Sequence, residues 1–409
     1  MRIGTMVVAL CAAVCLQADS VSAQIRSLSL AEVLSRAREQ APQIVSARLA
    51  LEEARGALSG ASIRYQTNPE VDAAIGTRTA RDGRFIDFDL GIAQSFDPGG
   101  GRSARVAGAS AAIGRDAANI DEVTRLVLHR AASSFFRALH ANERLRLLTA
   151  AEELAVQIHA MADRRFQAGD IAVLDVNIAR ASLARIRAER EGIAASRALA
   201  LGELRRLLRF DKDIQDIDVE GALPRPIDAD LSAALQAAAE RPELRALEAG
   251  IREGEALAQL GQSLARPAYG VGVRYAREEG DQIVLGGMTV TLPFFSKGQE
   301  QQAVGVARAA RLRAELDSAR LLVQLEVRTA FDAYSRRAAA VRALEAEAMP
   351  GLDENEQLTT RSFEVGQLGL PALLLIRREI LDTRVEHLDA LLEAALARID
   401  LDASASLLR

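Results

Sequence analysis

Residues 85–96 alternate in character. Ile86, Phe88, Leu90 and Ile92 share one face of an extended chain, and Asp87, Asp89, Ala93 and Ser95 share the other. Tyr269, Val271, Val273 and Tyr275 repeat the pattern opposite Gly270, Gly272 and Arg274. Val284, Met288, Val290, Leu292 and Phe294 repeat it opposite Leu285, Gly287, Thr289 and Thr291, while Val71, Ala73 and Ile75 form a weaker first strand beside Asp72. A period of two predicts strands with one apolar and one polar face. The segments run about 9 to 13 residues, which suits a tilted strand crossing a bilayer.

Between these strands the period changes. Val106, Ile113, Ile120 and Val127 recur every seven residues, and Ser110, Ala117, Thr124 and Ala131 follow each by four. This heptad pattern predicts a supercoiled helix with small residues along one side of its seam. From Arg102 to Phe166 there is no Pro, and little Gly beyond Gly108 and Gly114. About 65 helical residues at about 1.5 Å each reach about 100 Å, more than an ordinary globule accommodates.

The pattern then recurs at an offset of about 200 residues, the mark of an internal repeat. Leu30, Leu34 and Pro42 are matched by Leu231, Leu235 and Pro242. Ser95-Phe96-Asp97-Pro98-Gly99-Gly100-Gly101 after one hairpin is matched by Leu292-Pro293-Phe294-Phe295-Ser296-Lys297-Gly298 after the other. Arg165-Phe166-Gln167-Ala168-Gly169-Asp170-Ile171 is matched by Ser362-Phe363-Glu364-Val365-Gly366-Gln367-Leu368. The expected organisation is a leader over 1–23, a first repeat over 24–210 with its hairpin at about 70–96, a linker over 211–228 containing Pro224 and Pro226, and a second repeat over 229–409 with its hairpin at about 268–295. The fold class is mainly α with a small β portion.

Composition agrees with long, closely packed helices. Aromatics are 4%, there is no Trp, and Ala fills much of the hydrophobic fraction of 49%. The formal charge of −5 comes with no basic patch interleaved with aromatics, so nucleic acid is not an expected partner. Arg2, the apolar run Met6 to Leu16 and Val21-Ser22-Ala23 predict a cleaved secretory signal with Gln24 first in the mature chain. Cys11 and Cys15, the only cysteines, lie inside it, which leaves no disulfide, thiolate ligand or cysteine nucleophile after cleavage. Cys15 follows Val14, where a lipid-attachment site calls for Gly or Ala. No later run approaches the 18 or so apolar residues of a membrane helix, but a chain that contributes strands to a closed barrel needs none. Four strands do not close a channel; three copies supply about twelve, within the range of known barrels.

Enzyme signatures are incomplete. Gly99-Gly100-Gly101 has neither a Gly-Lys-Ser/Thr ending nor Gly-x-Gly-x-x-Gly spacing, so a strand-to-helix turn explains it better than a phosphate loop. His129, His140, His159 and His387 make no metal-binding pair. No catalytic, cofactor or metal residue is expected.

Two helix–hairpin–helix–tip–helix repeats behind a signal resemble the TolC family of outer-membrane efflux proteins, over essentially the whole mature chain. The narrower likeness is to the branch serving heavy-metal and drug pumps of the resistance–nodulation–division class. The specific motifs are Phe96-Asp97-Pro98-Gly99-Gly100-Gly101-Arg102, Leu292-Pro293-Phe294-Phe295, the run Arg165 to Val176, and Phe363-Glu364-Val365-Gly366. The resemblance implies a homotrimer with a twelve-strand barrel in outer-membrane lipid and a helical tube in the periplasm. It also implies a periplasmic adaptor that meets the tips and an inner-membrane pump that supplies energy. Expected lipid-facing strand residues are Ile86, Phe88, Leu90, Ile92, Tyr269, Val271, Val273, Val290 and Leu292. Expected docking tips are Phe166, Ala168, Gly169 and Asp170, with Phe363, Val365, Gly366 and Gln367; each Phe packs over its turn, and each Gly takes positive φ.

The chain departs from the family at the gate. Where the best-known members carry acidic residues after the second tip, it has Ala372 and Leu375 within Gly369-Leu370-Pro371-Ala372-Leu373-Leu374-Leu375. The expected gate is Leu373 and Leu375, closing by dewetting, with any acidity from Asp170 or Asp175. The cargo implied is metal ions or small toxic compounds. Two other readings remain, a channel for protein secretion by an ATP-driven exporter and a periplasmic coiled-coil scaffold that never enters the membrane.

Overall fold

A computed structural model describes residues 26–81, 83–97, 99–210, 216–278 and 280–408. The expected signal segment and both cysteines lie outside the described residues. The chain divides into two compact units. The first comprises residues 1–40, 130–226 and 340–396, the second 41–129, 227–339 and 397–409.

Strand β1 (Arg26–Leu28) leads into α1 (Leu30–Gln40), whose start is a capping box: Glu32 accepts from the Ser29 amide at 2.9 Å, and the Ser29 hydroxyl accepts from the Glu32 amide at 3.3 Å. α2 (Pro42–Ser62) begins on a proline, where the missing N–H costs nothing. Strands β2 (Glu70–Ala80) and β3 (Gly83–Phe96) come next. Then come α3 (Gly101–Gln167), α4 (Val173–Leu208) and β4 (Ile217–Val219). α5 (Leu231–Ala238) is capped by Asp230, which accepts from the amides of Ser232 and Ala233, and α6 (Pro242–Ser263) again starts on proline. β5 (Ala268–Glu278) and β6 (Asp281–Thr291) precede α7 (Gln299–Ala343), a π-helical turn at Leu344–Ala348, α8 (Leu352–Glu364) and α9 (Leu370–Ser404).

Three sequence expectations need correction. β6 stops at Thr291, so Leu292 and Phe294 lie beyond the strand. Pro293 has no N–H for the ladder and restricts the residue before it. The expected linker contains β4, which pairs in parallel with β1 and buries Ile217 and Val219. The second long helix is interrupted: α7 passes through the π turn, and Gly351 at φ +84° comes after Pro350 before α8 restarts.

In the first unit one core cluster lies beneath the two helix turns. Phe363, Leu370 and Leu373 pack with Ile158 and Ala162 of α3 and Val176 and Ala179 of α4. In the second unit, Leu316, Val323, Val327 and Tyr334 of α7 pack with Ala234, Leu244 and Leu401. There α6 and α7 approach closely enough that a Cβ on Gly305 would collide with the Ala258 backbone, and one on Gly254 would lie 3.0 Å from the Ala309 nitrogen. Glycine is required at such a crossing.

In α3 a seven-residue series is buried throughout: Ala104, Ala111, Ala118, Arg125, Ala132 and Leu139. The row that the sequence suggested is buried only at its far end: Val127 and Ala131 are buried, Val106, Ile113, Ile120 and Thr124 half-buried, and Ser110 and Ala117 exposed.

Candidate functional site

All four long strands form one antiparallel sheet in the order β2-β3-β5-β6. Its register assembles the apolar positions. Val71 faces Ile92, Ile75 faces Phe88, Leu90 faces Tyr275, Ile92 faces Val273 and Tyr269 faces Val290. Of the expected lipid-facing residues, all but Leu292 share this face.

That face is exposed: Ile86, Ile92, Val273 and Met288 show 68%, 53%, 54% and 72% of their surface. On the other face Asp87 and Asp89 of β3 are half-buried, while Asp72 and Arg274 are exposed. A sheet packed in water buries its apolar face, because apolar area is what burial removes from solvent. The polar face is knitted by charge. Arg78 pairs with Asp87 at 2.8 Å and with Glu278 at 3.1 Å, and Arg274 pairs with Asp72 at 3.3 Å and lies 3.7 Å from Asp89. Asp72 fills the space that a side chain on Gly91 would need.

β2 and β6 each have one neighbour, so both outer edges of the sheet are unpaired among the described residues. Long, exposed edges are templates for strand pairing. At the strand ends nearest the helices sits a group of aromatics. Tyr65 meets Phe96 edge-on at 5.6 Å, and Tyr269, Phe294 and Phe295 are exposed. The Gly99–Gly101 turn joins β3 to α3, with Gly100 at φ +97° and Arg266 donating to the Gly99 carbonyl at 2.7 Å. It is the strand-to-helix turn that the sequence indicated.

The two tips share one backbone. At Gly169 (φ +80°), the Asp170 amide donates to the Arg165 carbonyl at 2.9 Å and the Gly169 amide to Phe166 at 2.9 Å. At Gly366 (φ +78°), the Gln367 amide donates to Ser362 at 2.8 Å and the Gly366 amide to Phe363 at 3.1 Å. Each is a Schellman motif, which needs the left-handed residue that glycine supplies. Ala168, Gly169 and Asp170 are exposed, as are Val365, Gly366 and Gln367.

The side chains differ. Phe363 is buried and has Arg165 over its ring at 5.2 Å, whereas Phe166 is 44% exposed. Leu373 is buried in the same core, so it holds helices together rather than lining an opening; Leu375 is exposed. Asp175 is half-buried and Asp170 exposed.

Each histidine lies beside a carboxylate: His129 by Asp400 at 2.7 Å, His140 by Asp389 at 2.6 Å, His159 by Asp163 at 3.8 Å and His387 by Glu345 at 3.5 Å. Arg144 also reaches Asp389, at 3.1 Å, and Glu189, at 2.7 Å. Burial pushes the Asp389 carboxyl up, but the His140 hydrogen bond and the Arg144 charge outweigh it and hold the group below the usual carboxylate range. Sequence reasoning missed this junction, since only the fold brings α3, α4 and α9 together. Among the described residues no group of three or more His, Cys, Asp or Glu is placed to hold a metal, and no helix is long and apolar enough to cross a membrane.

Residues 33–208 match the family model described as "Outer membrane efflux protein". The chain is 25% identical over 378 residues to the cobalt-zinc-cadmium resistance protein CzcC of Cupriavidus metallidurans, which covers 89% of this chain and 86% of that one. Its fold is similar to that of the CmeC outer membrane channel of Campylobacter jejuni, with a TM-score of 0.77 at 15% identity over 92% of this chain and 85% of that one. It is similar also to the MtrE outer membrane channel of Neisseria gonorrhoeae in its open state, with a TM-score of 0.74 at 17% identity over 92% and 88%.

Proposed function

We infer that this chain, an outer membrane efflux protein of the TolC kind related to CzcC, is the exit duct of a tripartite efflux system of the resistance–nodulation–division class. It is a channel rather than an enzyme. We propose metal ions as its cargo, on the strength of the cobalt-zinc-cadmium relative.

The observation that carries the structural reading is the four-strand sheet with a continuous exposed apolar face, a charged opposite face and both edges open. Three copies joined β6 to β2 make a closed twelve-strand barrel; closure removes every edge and places the apolar faces in lipid. The charged face of Arg78, Asp87, Asp89 and Arg274 then lines the lumen. The strands are 11, 14, 11 and 11 residues long, enough for tilted spans, and the aromatics at the helix end suit a girdle at the membrane–water interface.

The exposed tips around Gly169 and Gly366 are the proposed docking points for a periplasmic adaptor, with an inner-membrane pump behind it. Leu375, with Asp170 and Asp175, remains as the proposed gate lining. The 24–210 and 229–409 repeats each supply one hairpin and one tip.

The test is purification in detergent, light scattering for mass and planar-bilayer recording. A trimer that forms steady conductance is expected. A water-soluble monomer that leaves bilayers silent overturns the reading in favour of a periplasmic scaffold.

A further inference from the structure

A cleft of about 190 Å³ opens among four helices of the first unit. Leu154 and Ile158 of α3, Ile186 of α4, and Leu374, Ile380 and Leu381 of α9 give it apolar walls. Four arginines and three carboxylates border it, a surplus of one positive charge. The carboxylates already have cationic partners. Glu189 accepts from Arg144 at 2.7 Å, Asp382 from Arg378 at 3.3 Å and Glu356 from Arg384 at 2.9 Å.

Arg377 is less well served. Only 15% of its side chain is exposed. Its Nη2 donates to Thr360 Oγ1 at 2.8 Å and its Nη1 reaches Glu356 only at 3.4 Å, while its buried Nε finds no acceptor among the described residues. Burial lowers its pKa, and the Glu356 charge offsets this only in part. A largely buried guanidinium whose Nη1 meets the Glu356 carboxylate only at 3.4 Å gains from an anion that brings its own acceptors, and a carboxylate matches the planar guanidinium fork.

We propose that this cleft is a binding site for a short aliphatic carboxylate, its tail among Leu154, Ile158 and Ile380 and its head on Arg377. Size sets the chain length. A dry cavity of about 150 Å³ admits benzene, so this volume suits a tail of about eight carbons. Because α3 and α4 form one side of the cleft and α8 and α9 the other, the bound molecule ties the two helical hairpins together. The site needs neither barrel nor trimer, so its failure and that of the duct reading are separate results.

The experiment titrates sodium octanoate into the full chain held in amphipol, by calorimetry, with octan-1-ol as the uncharged control. One octanoate per chain is expected, bound about tenfold or more tightly than octanol, as a charge-assisted bond requires. Arg377→Gln is expected to weaken octanoate by about tenfold or more, and Arg377→Lys not to restore it, since lysine lacks the fork. Ala151→Phe, which fills the cleft and leaves Arg377 intact, is expected to abolish binding. Equal affinity for octanol, no octanoate binding by the native chain, or octanoate binding untouched by Ala151→Phe overturns the proposal. If circular dichroism shows that Arg377→Gln unfolds, the Ala151→Phe and octanol results decide it.

Discussion

At the first tip α3 runs unbroken for 67 residues to Gly169; at the second, α7 breaks at a π turn and Gly351 before α8 reaches Gly366. Both ends close with the same pair of backbone hydrogen bonds. The side-chain packing around them differs: the second tip inserts Phe363, Leu370 and Leu373 into a core shared with α3 and α4, whereas the first leaves Phe166, Val173 and Leu174 exposed. Backbone geometry is therefore set locally by glycine and its hydrogen bonds, while anchoring is set by which tip owns the core. The second tip contributes its phenylalanine to that core and the first does not, although both leave apolar side chains exposed, Val365 at the second and Val173 and Leu174 at the first.

The sharpest test of that difference is the phenylalanine pair. Phe363→Ala is expected to destabilise the first unit by about 3–5 kcal/mol through lost burial and a cavity, while Phe166→Ala stays within about 0.5 kcal/mol. Denaturant titration combined with hydrogen exchange at the tips reads both, and equal effects would erase the distinction. Next come the leucines. Leu373→Ser is expected to cost about 2–5 kcal/mol, the range for removing a large buried side chain. Leu375→Ser is expected to leave stability alone and, if it lines the proposed gate, to raise bilayer conductance; unchanged conductance removes it from the gate.

The glycines test the shared part. Nothing lies within 4 Å of a Cβ built on Gly169 or Gly366, so alanine there meets only backbone strain, about 1–2 kcal/mol, and equally at both tips. A clear inequality in thermal denaturation would show that the two turns are not equivalent. The smallest effect expected is from acid. Asp389 has a folded pKa below its unfolded value, so its contribution is present above the unfolded value and is lost as pH falls through the folded one. Protection of the α3–α9 contact should weaken as pH drops below the ordinary carboxylate range, and Asp389→Asn should flatten that dependence in hydrogen exchange.

Much of the sheet was legible. The alternation from Ile86 to Ile92 named the apolar face because strand side chains simply take turns. The glycine turns were equally plain. The heptad was legible in period and only in part in row, since Val127 and Ala131 are buried as expected while the series Ala104, Ala111 and Ala118, which carries no large apolar residue, is buried as well. The three-residue pair β1–β4 carries too little pattern to be seen, and its partners lie far apart in the chain.

The sequence by itself determined the element types, the two-faced strands and the positive-φ turns, because each rests on local periodicity or on the freedom of one residue. Only the tertiary structure decided that Phe363 is an anchor and Phe166 is not, that Leu373 is core and Leu375 is surface, and that Arg377 borders a cleft. Those outcomes depend on which distant side chains arrive to exclude water, and no local pattern encodes that.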